Sequence, residues 1–148
     1  MKKDVLIDIK GMYHTSEGKD SIELTTVGSF TRMGEKYYIT YRETEATGME
    51  GTVTTVKVEG NQRVTLLRSG AQKSRMVLER GQRHLCAYDT GVGVMTIGIF
   101  AENIQSSLQE DGGKLSFKYT LDINSDLASC NEVDITVREV GKQSCPMS

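Results

Sequence analysis

Tryptophan is absent from this chain, proline occurs once (Pro146), and there are only two histidines, His14 and His84. The three cysteines, Cys86, Cys130 and Cys145, form an odd set with no CxxC pair. A disulfide-built secreted domain needs a denser, even set. Free thiols in a reducing cytoplasm are therefore expected, with a Cys130–Cys145 bridge left open on oxidation. His84 and Cys86 fall on one face of a strand, yet no third or fourth ligand accompanies them, so no metal site is expected. GxSxG, HExxH and Walker patterns are all missing, and Gly91-Val92-Gly93 precedes no helix that would make it a phosphate loop. No catalytic residue and no cofactor are assigned on this basis, and a non-enzymatic protein is expected.

Long apolar runs are missing too. Nothing approaches the roughly 18 residues that a membrane-spanning helix requires. The start, MKKDVLIDIKG, places two lysines before an apolar stretch, but Asp4, Asp8 and Lys10 interrupt it, unlike a signal peptide. A cytoplasmic location without a membrane partner is expected. The 148 residues carry 18 Lys+Arg against 20 Asp+Glu, a net charge of −2, which suits neither a strongly basic nucleic-acid binder nor an acidic tail. The charge is uneven, however. Lys57, Arg63, Arg68, Lys73, Arg75, Arg80 and Arg83 oppose only Glu59 and Glu79 in 57–83, while 84–148 is acidic. That basic run contains no aromatic residue on which a base could stack, which disfavours nucleic acid. A solvated face, or one complementary to the acidic half in a homodimer, fits it better.

What the sequence has in quantity is a period of two. Leu115, Phe117, Tyr119, Leu121 and Ile123 alternate with Ser116, Lys118, Thr120 and Asp122. Such alternation gives a strand with one buried and one wet face. Val5, Ile7 and Ile9 repeat the pattern, as do Tyr37, Ile39 and Tyr41, Val64 and Leu66, and Val133, Ile135 and Val137. Glycines punctuate the runs. About ten strands are predicted, over 4–14, 21–33, 36–45, 52–59, 62–69, 74–80, 84–89, 92–102, 113–124 and 132–140. Gly60-Asn61 reads as a two-residue hairpin turn and Asp111-Gly112 as a second. Gly11 and Gly28 lie within strands, where they suit a bulge or a barrel corner. Residues 103–110 could form at most one short helix, capped by Asn103, with Ile104 and Leu108 four apart. Ten short antiparallel strands in one domain protect their edges best by closing into a barrel; a two-sheet sandwich is the alternative.

Two charges break the alternation. Glu43 continues the apolar face of Ile39 and Tyr41, and Arg68 continues that of Val64 and Leu66. A charge on a core face must be paired or reach water. The two either meet at a pocket mouth or snorkel outward from strand ends. With the rings of Tyr41, Tyr88, Phe117 and Tyr119, they make up the candidate ligand site.

Leu66-Leu67-Arg68-Ser69-Gly70-Ala71, Tyr88-Asp89-Thr90-Gly91-Val92-Gly93, Ile104-Gln105-Ser106-Ser107-Leu108 and Gly113-Lys114-Leu115-Ser116-Phe117-Lys118-Tyr119 follow one another in an order that resembles the YwiB-like family of small bacterial proteins. The likeness spans roughly 5–140. It implies an all-β, calycin-like (lipocalin-like) antiparallel barrel of about eight to ten strands, and a family of unknown function with no catalytic residue to carry over. One domain is expected over 1–148, with a core at 4–140 and a flexible tail at 141–148. The expected role is binding a small apolar or amphipathic ligand in the barrel. The alternative is an interaction module acting through its surface, as a homodimer or with a protein partner. An enzyme or an RNA binder ranks below both.

Overall fold

Alternation in the sequence becomes alternation between two walls of a sheet. In the computed structural model, residues 2–44, 50–70, 73–89 and 92–140 are described, apart from the side chains of 87–89. They form β1 (Lys2–Thr15), β2 (Gly18–Met33), β3 (Lys36–Arg42), β4 (Thr52–Glu59), β5 (Arg63–Gly70), β6 (Ser74–Glu79), β7 (Arg83–Asp89), β8 (Val94–Ser106), β9 (Gly112–Ile123) and β10 (Asp126–Glu139). The sheet order is β6-β5-β4-β3-β2-β1-β10-β9-β8-β7 and the ladders between neighbours are all antiparallel. The first strand pairs with the last, so the chain is an up-and-down meander curled into a nearly closed barrel. The predicted tail at 141–148 lies outside the described residues.

The odd residues of β1, β3, β9 and β10 and the even ones of β4 and β5 form the inner wall. Val5, Ile7, Ile39, Val56, Val58, Val64, Leu78, Ile99, Ile104 and Leu115 are all at or below 1% exposure. Burying each such side chain contributes about 1.5–3 kcal/mol. At the end where even-numbered strands finish, Phe30 stacks on Tyr37 with centroids 5.5 Å apart, and the Arg32 guanidinium lies 6.0 Å over the Tyr37 ring. The outer wall is polar. Lys10 pairs with Glu23 at 3.4 Å, Asp8 with Arg138 at 2.9 Å, and the Ser116 hydroxyl donates to Asp134 at 2.6 Å. A transmembrane barrel has the reverse arrangement, apolar outside. Among the described residues no helix is long and apolar enough to cross a membrane.

Three local expectations need correcting. Residues 103–110 form no helix: β8 runs on to Ser106. A bulge between Ala101 and Asn103 resets the alternation, so that Ile104 turns inward opposite Phe117 while Asn103 sits opposite Lys118. Tertiary pairing outweighs the weak four-residue spacing. The Gly60-Asn61 turn is one residue longer than expected, because Glu59 and Arg63 are the last pair and 60–62 connect them. Gly11 and Gly28 are not bulges, since the ladders pass through both without a shift in register. Gly28 permits close approach instead. A Cβ there would collide with the Thr40 carbonyl oxygen and lie 2.6 Å from Ile7 Cδ1.

Closure falls between β6 and β7, consecutive in the chain but barely bonded. The backbone tie is made by the turn after β6 to β8, where Gly81 N–H donates to the Ala101 carbonyl at 2.9 Å. Beyond this corner, side chains span the gap. His84 Nε2 lies 2.9 Å from Glu79 Oε1, and the Cys86 thiol lies 3.8 Å from the Arg75 carbonyl oxygen. β7 is also tied to β9 across β8. Arg83 reaches over Gly98 to bond both carboxylate oxygens of Asp122, at 2.9 and 2.5 Å. Only glycine leaves that passage, because a Cβ on Gly98 would lie 2.5 Å from Arg83 Nε and from each Asp122 oxygen.

The contrast between two glycines gives a measurable outcome. Gly28→Ala meets backbone and should lose about 1–3 kcal/mol of stability, as overpacking does. Gly11→Ala mainly meets the Tyr13 hydroxyl, 2.9 Å away at the end of a movable side chain, and should lose less. Urea midpoints of the two variants compare them directly; equal losses would contradict the close-approach account.

Candidate functional site

At the other end of the barrel, where the odd-numbered strands finish, the inner wall turns polar. β4 begins with Thr52 and Thr54, both 1% exposed, where its later inward positions are Val56 and Val58. Arg68 on β5 lies directly opposite Thr54, and Thr54 directly opposite Tyr41 on β3. Glu43 follows β3 by one residue, and its N–H donates to the Thr52 carbonyl at 2.8 Å. Glu43 is buried, so it does not snorkel out. The Thr54 hydroxyl donates a short hydrogen bond to Glu43 Oε2, and the Glu43 carboxyl acts electrostatically on the Tyr41 hydroxyl. From the facing wall come Tyr13 on β1, Asn131 on β10 and Tyr119 on β9, which lie opposite one another in successive ladders. Asn131 is buried and its amide donates to Ser129 Oγ at 3.0 Å.

The electrostatics show which groups share this space. Burial pushes the Tyr41 hydroxyl well above its ordinary pKa, Glu43 raises it further, and Arg68 opposes the rise. Burial pushes Tyr119 up to about 12, with Tyr13 adding and Arg68 opposing. Tyr13 is raised by burial, and both Arg68 and Glu43 act on it. Arg68 thus acts on tyrosines from three strands across the lumen. Among the described residues its Nε is buried without a hydrogen-bond partner, and so is Thr52 Oγ1. Thr52 and Arg68 are diagonal neighbours on one wall of an antiparallel pair, within reach of a common group.

Of the six residues predicted as the ligand site, Tyr41, Glu43, Arg68 and Tyr119 gather here. Phe117 lies deeper, buried and stacked on Tyr119 with ring centroids 5.9 Å apart. Tyr88 lies on β7 opposite Met95; its side chain is outside the described residues. The sequence reading missed Tyr13, Thr52, Thr54 and Asn131. Parity was the available signal for all four: Tyr13 continues Val5, Ile7 and Ile9, Thr52 and Thr54 precede Val56 and Val58, and Asn131 precedes Val133, Ile135 and Val137.

Elsewhere, Cys86 and Cys130 are free thiols, while Cys145 lies outside the described residues. Among the described residues no three His, Cys, Asp or Glu side chains come together to hold a metal ion. The basic run is partly spent within the fold. Arg63 faces Glu59 and Glu79 at 3.8 and 3.6 Å, and Arg83 is held by Asp122.

The molecule is a small antiparallel β-barrel protein whose lumen is apolar at one end and polar and tyrosine-lined at the other. The chain belongs to the family described as Domain of unknown function (DUF1934), which matches residues 7–135. It is similar to a protein of Bacillus subtilis (strain 168) called "Uncharacterized beta-barrel protein YwiB", with 25% identity over 132 residues, 89% of this chain and 91% of the relative. The crystal structure of ywiB protein from Bacillus subtilis superimposes with a TM-score of 0.78 at 24% identity, covering 93% of this chain and 92% of that one. That likeness shows a shared fold.

Two measurements check the site. In a spectrophotometric titration, ionisation of the six tyrosines in the native protein should lag behind that in urea, and Tyr119→Phe should shrink the lag. A tyrosine kept neutral by the fold stabilises fully below its unfolded pKa of about 10. That stability should be lost as pH rises from there through about 12. Each unit of separation is worth about 1.4 kcal/mol. Thr54→Val removes a buried donor from Glu43 and should lose on the order of 1–3 kcal/mol in urea melts. Thr54→Ser keeps the hydroxyl and should lose less.

Proposed function

We propose that this protein is a non-enzymatic cytoplasmic module that binds one small amphipathic ligand at the polar end of its barrel. The observation that carries this reading is the pair of buried polar atoms on the inner wall, Arg68 Nε and Thr52 Oγ1, that have no hydrogen-bond partner among the described residues. An unmatched buried donor costs about 1–3 kcal/mol. A site that holds a ligand accepts that cost in the free protein and recovers it on binding. Convergent polar groups above an apolar floor are the usual make-up of a small-ligand pocket. Barrels of about eight strands, such as lipocalins, can already hold one small ligand, and this one has ten strands.

A surface-acting module is the second reading. It is favoured by the buried Phe117 and Tyr119 rings, which limit the depth of any pocket. Nucleic acid is disfavoured, because Arg63 and Arg83 are held by carboxylates of the same chain.

Native mass spectrometry of protein purified from its own host separates the two. Ligand binding predicts a small-molecule mass excess at one per chain, retained by the wild type and lost from Arg68→Met. A homodimer or hetero-complex without such an excess would favour the surface reading.

A further inference from the structure

The two charged residues of the polar end are not equivalent, and the difference specifies what binds. Glu43 accepts a hydrogen bond from Thr54 and its N–H donates to the Thr52 carbonyl, so it is engaged by the wall itself. Arg68 is the reverse case. Its Nε–H is buried and unpartnered, and among the described residues it forms no ion pair. Arg63, five residues earlier on the same strand, also has a buried unpartnered Nε, but its terminal nitrogens face Glu59 and Glu79. Arg68 is therefore the arginine of β5 that has a buried Nε and forms no ion pair among the described residues, and it lies on the inner wall.

Resting on the ligand-binding reading, we propose that the ligand is a monocarboxylate with a short apolar or aromatic body, its carboxylate bound by Arg68 and Thr52. A guanidinium matches a planar carboxylate with two parallel N–H donors, and such charge-assisted bonds are roughly twice as strong as neutral ones. The Thr52 hydroxyl, diagonal to Arg68 on the same wall, donates a further bond to the same oxyanion. The charge of the head follows from the neighbourhood. One guanidinium and the Glu43 carboxyl share the cluster, and both act on Tyr13 and Tyr41. With Glu43 already in the cluster, each added negative charge on the head is opposed by its carboxylate, so a monoanion bound at Arg68 is disfavoured less than a dianionic phosphate. The length of the body follows from the floor. The buried Phe117–Tyr119 stack blocks deep entry, so the body lies against the half-buried rings of Tyr13 and Tyr41.

The chain has no tryptophan, so its intrinsic emission comes from its six tyrosines, of which Tyr13, Tyr41 and Tyr119 line the site. Hexanoate and benzoate are titrated into the wild type by tyrosine fluorescence and calorimetry. Hexanol, benzamide, hexylammonium and phenyl phosphate serve as the neutral, cationic and dianionic arms. Both carboxylates should bind saturably at one per chain, at least ten-fold tighter than every control. Hexanoate binding should fall as pH drops through the ligand's own carboxylate range, a change that hexanol should not show. Arg68→Met should weaken hexanoate at least ten-fold, Arg68→Lys less, and Thr52→Val several-fold, with circular dichroism confirming each fold. The pH comparison needs no variant, so it decides the matter even if Arg68→Met fails to fold. Equal binding of hexanol and hexanoate, with no effect of Arg68→Lys or Thr52→Val, overturns the carboxylate assignment and leaves the ligand reading standing. Tighter binding of phenyl phosphate replaces the carboxylate with a phosphate, and tighter binding of hexylammonium moves the anchor to Glu43. If no amphiphile binds at all, the ligand reading falls with it.

Discussion

Half of the residues in ten strands point into one narrow space, and the rest of the structure follows from how that space is filled. A lumen lined by Val, Ile, Leu and Phe side chains at or near zero exposure closes by exclusion of water. That requirement fixes the register of every strand, because a one-residue slip would turn an entire apolar row outward. It also places the bulge in β8, which lets Ile104 return inward after Ala101. Where one wall must come closer than a side chain allows, glycine is used: Gly28 lies against the Thr40 carbonyl, and Gly98 lets Arg83 cross to Asp122.

The same requirement leaves two weak points. Closing the sheet brings the edges of β6 and β7 together at one corner only, and side chains complete the seam: Glu79 with His84, and Cys86 with the Arg75 carbonyl. A sheet edge held by side chains is exchanged more easily than one held by a ladder. The second weak point is the polar end. Tyr13, Tyr41, Glu43, Thr52, Thr54, Arg68 and Asn131 replace the aliphatic lining there, and burying them without full hydrogen bonding costs stability that an apolar lining would not. Fold stability alone gives no reason for that exchange, which is why the polar end, and not the outer wall, is the place to look for function.

The sequence by itself determined the all-β class, the ten strands and the two walls, because the period of two in a strand is fixed by backbone geometry and needs no tertiary information. It also marked Glu43 and Arg68, as charges on faces that parity assigns to the interior. Tertiary structure alone decided the rest. Which strands meet across the lumen depends on closure, so nothing local could put Tyr13 and Tyr119 beside Arg68, or Asn131 between them. The short helix that the sequence allowed at 103–110 does not form, because a partner strand offered more hydrogen bonds and burial than one isolated helical turn. Whether a charge on an inward face is paired, exposed or left with an open donor depends on the neighbours closure brings to it. The neighbouring β4 gave Glu43 its Thr54, and among the described residues the Arg68 Nε–H is left on the inner wall without an acceptor.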